Sequence, residues 1–419
     1  MTKFQTPRGT RDFLPETMIK RQKVLDTLRS IFEKWGFDPV ETPAFEDWSL
    51  LAAKAGGGDA IRDEIYYFRD KSNRELGLRF DLTVPLARVV ANNPNLPKPF
   101  KRYHIGRVWR YDRPGTGRYR EFWQADVDII GSAGHRADAE VLAIACDALE
   151  KLGLVDFRIR LSSRKLVESF LRNIGVKDIS AVFRSIDKLE KIGENNVAKE
   201  LKDKGLQQAK VEEILGFIKL KNVKDIEAAA KDREAVNEIT DIVNILGEYG
   251  YSKYALIDMS LVRGLDYYTA CVFEISCSGM SIGGGGRYDK LIELFGGKPT
   301  PAAGISFGVE RVLEIMEAKK LLDEKKTVTK IFIACIGIDM KNAIDLARKL
   351  RKAGIECEFD IAGRNIRKQL DYVNAKGIPY VIFLGPKELE KKTIKLRNMK
   401  TGKEEEVNTK DADSLISSL

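Results

Sequence analysis

Four arginines, Arg110, Arg113, Arg118 and Arg120, surround a turn built from Pro114, Gly115 and Gly117. Each guanidinium can fork onto phosphate oxygens, so the cluster suits a polyanion. Just beyond it, Gln124, Asp126 and Asp128 alternate with Trp123, Ala125, Val127 and Ile129. Alternation at period two is a strand with one polar and one apolar face. Carboxylates and an amide on that polar face suit a ligand carrying hydrogen-bond donors or an ammonium. The stretch Tyr103 to Gly131 is therefore expected to be a hairpin with cations at its tip and carboxylates along its shaft. The same pattern also fits an exposed hairpin whose polar face is simply solvated.

The rest of the chain must position that hairpin. Its 419 residues are too many for one ordinary core and predict two or three domains. A hydrophobic share of 43% is globular, and 32% charged residues make the chain very soluble. No run of about 18 apolar residues occurs, and Met1 to Pro15 carries no apolar signal stretch, so the expected compartment is the cytoplasm. The five cysteines, Cys146, Cys271, Cys277, Cys335 and Cys357, are scattered and lack a CxxC pair, which argues against a disulfide framework or zinc site. With only His104 and His135 present, His-ligated metals and His-activated nucleophiles have little material. A net charge of +9 is a modest argument for a nucleic-acid partner.

In chain order, Pro7 to Pro15 is irregular, and an amphipathic helix is expected over Arg21 to Trp35, closed by Gly36. Glu75 to Ala91 runs from a strand into a helix, with Asp81 and Thr83 at the junction, where capping is a sufficient role. Ala137 to Leu152 reads as a helix and Phe157 to Leu161 as a strand. From Lys165 to Tyr249 short apolar stripes recur among many Lys and Glu, a small helical unit interrupting the sheet. Tyr254 to Cys277 resumes strand character. Ser281 to Leu291 (SIGGGGRYDKL) reads as a flexible loop, and its spacing excludes a dinucleotide fingerprint. Thr300 to Glu317 reads as a strand entering a helix at Gly308. After the charged stretch Lys319 to Thr327, strands and helices alternate as far as Leu384, a separate α/β unit. From Thr327 onward 18 Lys and Arg stand against 13 Asp and Glu, so +5 of the net charge lies there.

These residues carry a resemblance. RYDRPGTGRYREFWQ resembles motif 2 of the class II aminoacyl-tRNA synthetases, in the version typical of the histidyl-tRNA synthetases. RGLDYYT, Arg263 to Thr269, resembles the histidine-specific motif of that family, and GGGRYD the segment that closes over the amino acid. Thr300 to Glu317 resembles motif 3, the first helix with its following strand and Pro43 resembles motif 1, and the DLT at Asp81 resembles the archaeal and eukaryotic branch. Trp123 and the Ala270-Cys271 pair depart from the usual pattern, at positions without an assigned role.

The resemblance implies an α/β fold: a class II synthetase catalytic domain, with an antiparallel sheet flanked by helices, over residues 1–165 and 250–320. It also implies a helical insertion over 166–249, a linker over 321–326 and an anticodon-binding α/β domain over 327–419. The implied activity is ligation of histidine to tRNA(His) at the expense of ATP, with Mg²⁺ on the β- and γ-phosphates, by a homodimer without a membrane partner. Arg110 would bind the α-phosphate and the carboxylate, Asp112 would reach the adenine side, and Arg118 and Arg311 would hold the triphosphate. Arg263 would sit at the α-phosphate, a place that other class II enzymes give to a metal ion; no metal ligand is assigned to the protein itself. Gln124 would bind the histidine carboxylate and Asp81, with Thr83, its ammonium. Asp128, Tyr268 and Tyr288 would accept the imidazole N–H. A pocket of buried hydrogen bonds rejects apolar isosteres by about 10⁴-fold, so no editing domain is required. Two rivals share this ancestry. One is a regulatory subunit of histidine biosynthesis, which typically lacks the C-terminal domain. The other is a tRNA-binding sensor, which would show broken motifs 2 and 3.

Overall fold

The structure is a computed structural model that describes residues 4–54, 63–115, 117–262 and 267–408. The chain divides into two compact units, one of Met1–Arg11 and Val24–Leu321, the other of Asp12–Lys23 and Leu322–Leu419. Among the described residues no helix is long and apolar enough to cross a membrane.

The first unit is built on an eight-stranded sheet. Its spatial order is Asp38–Pro39, Phe100–Trp109, Glu121–Ile130, Ala302–Gly308, Met280–Arg287, Cys271–Cys277, Phe157–Ser163 and Ala255–Ile257. The six inner strands pair antiparallel, and only the two short edge strands lie parallel to their neighbours. The helix His135–Lys151 covers this sheet, with Val141, Leu142, Ala143, Ile144, Ala145 and Cys146 fully buried. Its many alanines let the backbone lie close to the strands. The first long helix runs Pro15–Lys34, starting earlier than its apolar stripe suggests, because a proline fits the first helical turn and Glu16 complements the helix dipole there.

The charged middle region is helical as read, from Arg164–Asn173 to Arg233–Glu248. Ser163, Asp178, Asn222 and Asp232 cap four of its helices with side-chain oxygens. Its core gathers Leu166, Phe170, Val182, Leu201, Ile214 and Ile239, and Met259 and Val262 close it from the chain that follows.

One expectation fails. The glycine run is not a loop: Met280–Arg287 is an interior strand, paired on both sides. Glycine is required there by close packing. A Cβ on Gly285 would stand 2.0 Å from Gly304 O, and one on Gly286 would meet Cys271 O at 2.5 Å and the Tyr268 ring at 2.7 Å. Runs of glycine signal turns only where nothing crowds the backbone.

The second unit contains a five-stranded sheet ordered Cys357–Phe359, Ile331–Cys335, Tyr380–Leu384, Thr393–Asn398 and Glu404–Asn408. Its first three strands are parallel and the inner two are buried on both faces, Ile331, Ile333 and Ile382 toward the helix Met340–Lys352, and Phe332 and Val381 toward Ile366–Lys376. The helix Pro386–Lys391 and the last two antiparallel strands extend it beyond the elements legible in the sequence.

Candidate active site

The three central strands of the large sheet form the floor of a cleft of about 520 Å³. Register places Gln124 opposite Gly308, Asp126 opposite Ser306 and Asp128 opposite Gly304, and all six residues line the cleft. Gln124, Asp126 and Asp128 are at most 9% exposed, so the polar face of this strand is a pocket floor and the solvated-hairpin reading falls. Glycine at 304 is needed for the same reason as in the neighbouring strand. A Cβ there would lie 1.9 Å from Asp128 Oδ1.

The acidic end is buried and cross-braced. The Tyr288 hydroxyl donates to Asp128 Oδ1, and the Arg102 guanidinium, fully buried, stands 2.6 Å from Asp128 Oδ2. Burial raises the Asp128 carboxyl and Arg102 opposes that shift. Burial pushes Asp126 up to about 7, again against Arg102 and helped by the neighbouring Asp128. Burial also holds the Tyr288 and Tyr267 phenols well above their ordinary values. Gln124 donates from Nε2 to Ser306 Oγ at 2.5 Å. Gln124 Oε1 and Asp126 Oδ1 are buried acceptors without a hydrogen-bond partner among the described residues, and such atoms call for a donor from elsewhere. Asp81 both caps and lines: its Oδ1 accepts from the Val84 N–H at 3.1 Å while the residue, with Thr83, borders the cleft. Tyr267 and Tyr268 border it too.

The opposite end is cationic. Arg110, Arg118 and Arg311 all reach the cleft. Arg110 Nε donates to Phe80 O at 2.9 Å and its guanidinium lies over the Phe122 ring at 5.3 Å. Arg118 Nε pairs with Asp112 Oδ2 at 2.9 Å. Arg311, from the first turn of the helix Val309–Ala318, donates from Nη1 to Ser281 O at 2.7 Å. Its pKa is lowered, first by burial and then by Arg110 and Arg118, a sign of how closely the three cations are gathered. The hairpin tip that carries Arg118 is fixed by reciprocal backbone bonds between Gly115 and Arg118, with Gly117 at a φ of +65° that favours glycine.

Of the four arginines around the turn, two do not reach the cleft. Arg113 is exposed, and Arg120 braces the hairpin, donating to Asp112 O at 3.1 Å and lying over Tyr111. Every residue assigned from the sequence, Asp81, Thr83, Arg110, Asp112, Arg118, Gln124, Asp128, Tyr268, Tyr288 and Arg311, borders the one cleft, except Arg263, which lies outside the described residues. The cleft also uses residues that carried no assigned role: Tyr267, Gly304, Ser306, Glu64 and Lys191. Behind them, Arg102 shares a strand face with His104. Polar residues at the alternate positions Arg102 and His104, in register with Asp128 and Asp126, were the available signal for Arg102. The interior glycine of AAGISFG was the signal for Gly304.

A cleft with carboxylates and phenols at one end and gathered guanidiniums at the other, floored by an antiparallel sheet, belongs to the class II aminoacyl-tRNA synthetase type of catalytic domain. The profile of the family Histidyl-tRNA synthetase matches residues 9–312, and that of the Anticodon binding domain matches residues 330–419. A histidine–tRNA ligase of Thermococcus kodakarensis is 40% identical over 428 residues, covering 98% of each chain. The crystal structure of histidyl-tRNA synthetase from Nostoc sp. PCC 7120 matches at a TM-score of 0.87 and 28% identity over 100% of both chains. A Bacillus halodurans protein described as an ATP phosphoribosyltransferase regulatory subunit/histidyl-tRNA synthetase matches at a TM-score of 0.79 and 25% identity, over 92% of this chain and 99% of that one. The chain belongs to the histidyl-tRNA synthetase family.

Proposed function

We propose that the chain activates histidine with ATP to histidyl-adenylate and transfers it to the 3' end of tRNA(His), releasing pyrophosphate and AMP. The observation that carries this reading is the two-ended cleft: buried acceptors for an ammonium and an imidazole face three guanidiniums fit for a polyphosphate. The regulatory-subunit rival shares the catalytic fold, but the match to the anticodon-binding profile over residues 330–419 favours the ligase. The sensor rival calls for broken motifs 2 and 3, whereas Arg110, Arg118 and Arg311 stand together in the cleft.

In activation, a histidine carboxylate oxygen attacks the α-phosphorus of ATP, the new O–P bond forms, and the bond to pyrophosphate breaks. Catalysis here is positioning and neutralisation of charge that spreads over phosphate oxygens. Arg110 binds the α-phosphate and the attacking carboxylate, Arg311 and Arg118 hold the triphosphate, and Asp112, which orients Arg118, reaches the adenine side. Arg263 is assigned to the α-phosphate on its motif alone. Asp81 and Thr83 take the ammonium. Asp128, held by Arg102 and Tyr288, accepts an imidazole N–H, with Tyr268 beside it. Gln124 takes the carboxylate through its amide N–H₂. As placed, that group donates to Ser306 and the oxygen is buried without a partner among the described residues, so this role requires the amide to turn over while the serine hydroxyl donates in return. Among the described residues no three His, Cys, Asp or Glu side chains converge on a metal site. Mg²⁺ is proposed to enter as part of the ATP substrate, bound to phosphate oxygens and water.

The residues 327–419 are proposed to bind the anticodon, with 321–326 as linker and 166–249 as a helical insertion. A homodimer is proposed, supported by Phe45, Tyr67 and Phe68, aromatic side chains 50%, 44% and 37% exposed on one small sheet. The cytoplasm is the proposed compartment. ATP–pyrophosphate exchange measured with each of the twenty amino acids tests the whole reading: histidine alone should support it, and exchange with another amino acid, or with none, overturns it.

A further inference from the structure

Among the residues that line the cleft, Lys191 alone comes from the helical region between Arg164 and Glu248. It sits in the short helix Leu189–Ile192 and is exposed. Its surroundings say which end of the cleft it faces. The preceding residue, Glu190, pairs with Arg160. Arg160, in the strand Phe157–Ser163, also holds Asp258 at 2.9 Å and Glu274 at 3.3 Å. Glu274 lies opposite Gly284 of the glycine strand, and that strand supplies the Ser281 carbonyl to Arg311. Glu274 is also among the charges that act on Arg311. The Arg160–Glu190 pair thus ties the short helix to Glu274, whose charge acts on Arg311 and whose register row runs through Gly284 and Ser306 to Asp126.

Nearby lysines are neutralised, Lys188 by Glu200 and Lys219 by Glu194. Among the described residues no carboxylate pairs with Lys191. Lys191 borders the same cleft as the three gathered guanidiniums, and cations that share a cleft repel one another until a polyanion enters. An ammonium on a flexible stem suits a phosphate that arrives and leaves, since it binds as a point charge without fixed geometry.

We propose that Lys191 contacts the terminal phosphates of ATP and the departing pyrophosphate, with Glu190 and Arg160 as the positioning pair, so that the helical region closes on the nucleotide. This rests on the placing of the triphosphate at Arg311. No covalent step is added; Lys191 neutralises charge on the leaving group and releases it with the product.

The test is steady-state ATP–pyrophosphate exchange and histidine-dependent aminoacylation by the full-length protein. Lys191→Ala should raise the KM for pyrophosphate and for ATP about three- to tenfold, leave the KM for histidine and the melting temperature unchanged, and weaken the salt dependence of the pyrophosphate KM. Lys191→Arg should restore most of the loss, Lys191→Glu should deepen it, and Glu190→Gln should show a smaller loss in the same two constants. Unchanged KM values for ATP and pyrophosphate in Lys191→Ala overturn the proposal. So does a rise confined to the KM for tRNA, which would move the contact to the acceptor end. Arg311→Ala separates the two levels: if it leaves the KM for ATP unchanged, the placing of the triphosphate fails; if it raises that KM while Lys191→Ala does not, only the contact proposed here fails.

Discussion

The two ends of the cleft are made differently. At the acidic end Asp81, Gln124, Asp126, Asp128, Tyr268 and Tyr288 are each at most 9% exposed, held by strand register and by one another. At the cationic end Arg118 has a side chain 59% exposed on a hairpin tip, Arg110 and Arg311 are half-buried, and Lys191 is exposed on a four-residue helix. A small ligand that must be told apart from nineteen others is met by a site built before it arrives, whose unpaired acceptors penalise a ligand that cannot donate. A polyphosphate needs charge more than shape, and its cations sit where they can move. The first end contributes to folding and to selection together. The second contributes to binding with little effect on the fold.

The sharpest way to break that contrast is Asp128→Ala. It removes the acceptor proposed for the imidazole and leaves Arg102 buried without its counter-charge. A buried charge deprived of its partner costs about 3–5 kcal/mol, so equilibrium denaturation should show a loss of that order. In the protein that still folds, histidine-dependent exchange should fall at least a hundredfold while ATP affinity holds within about threefold. A stability within about 1 kcal/mol of the parent would show that Arg102 finds other support. Equal losses for histidine and ATP would show that Asp128 braces the sheet without choosing the ligand.

The counterpart at the other end is Arg311→Ala. One backbone hydrogen bond, to Ser281 O, ties this guanidinium to the glycine strand, so the stability loss should stay near 1 kcal/mol. The KM for ATP should rise about ten- to a hundredfold, because a charge-assisted contact at a half-buried site is lost. If Arg311→Ala instead destabilises as much as Asp128→Ala, the cationic end is structural and the contrast collapses.

How much of this was legible follows the same division. The hairpin, its Arg110 and Arg118, and the strand-to-helix junctions at Thr83 and Val309 could be read from alternation, turns and caps. The histidine-end assignments gathered into one cleft because strand alternation alone puts Gln124, Asp126 and Asp128 on one side. Three things were not legible. Whether a polar strand face meets solvent or a pocket depends on what flanks and covers it, here the strand Ala302–Gly308 that widens the floor and the tyrosines at 267, 268 and 288 that border it, all far away in sequence. The glycine run was read as a loop because its reason, the collision of any Cβ with Gly304 O and the Tyr268 ring, exists only across strands. Lys191 was invisible for a similar reason: one lysine among many, distinguished only by what its helix is tied to.

The smallest effect concerns the layer behind the acidic end. His104, in register with Asp126, is 3% exposed, and burial, with Arg102 and Arg79 adding to it, pushes its pKa down to about 3. The unfolded chain binds a proton at this residue below its ordinary value of 6.5, and the folded chain does not until about 3. Stability carried by His104 is therefore present above 6.5 and lost as pH falls through that window. Asp126 has the opposite sign. Its folded value of about 7 lies above the ordinary 3.8, so its share is present below 3.8 and lost as pH rises toward 7. Between 3.8 and 6.5 the two slopes oppose, and the parent should depend weakly on pH through this pair. In His104→Gln the opposition is removed. Relative to the parent, the variant should gain stability as pH is lowered from 6.5 to 5, with a slope that rises toward about 1.4 kcal/mol per pH unit, about 1.6 kcal/mol in all. Denaturation by urea at the two pH values measures it, and the comparison is free of any fixed cost of the substitution. Parallel behaviour of parent and variant would mean that His104 is protonated in the fold, and that the acidic end is less sealed from water than its burial implies.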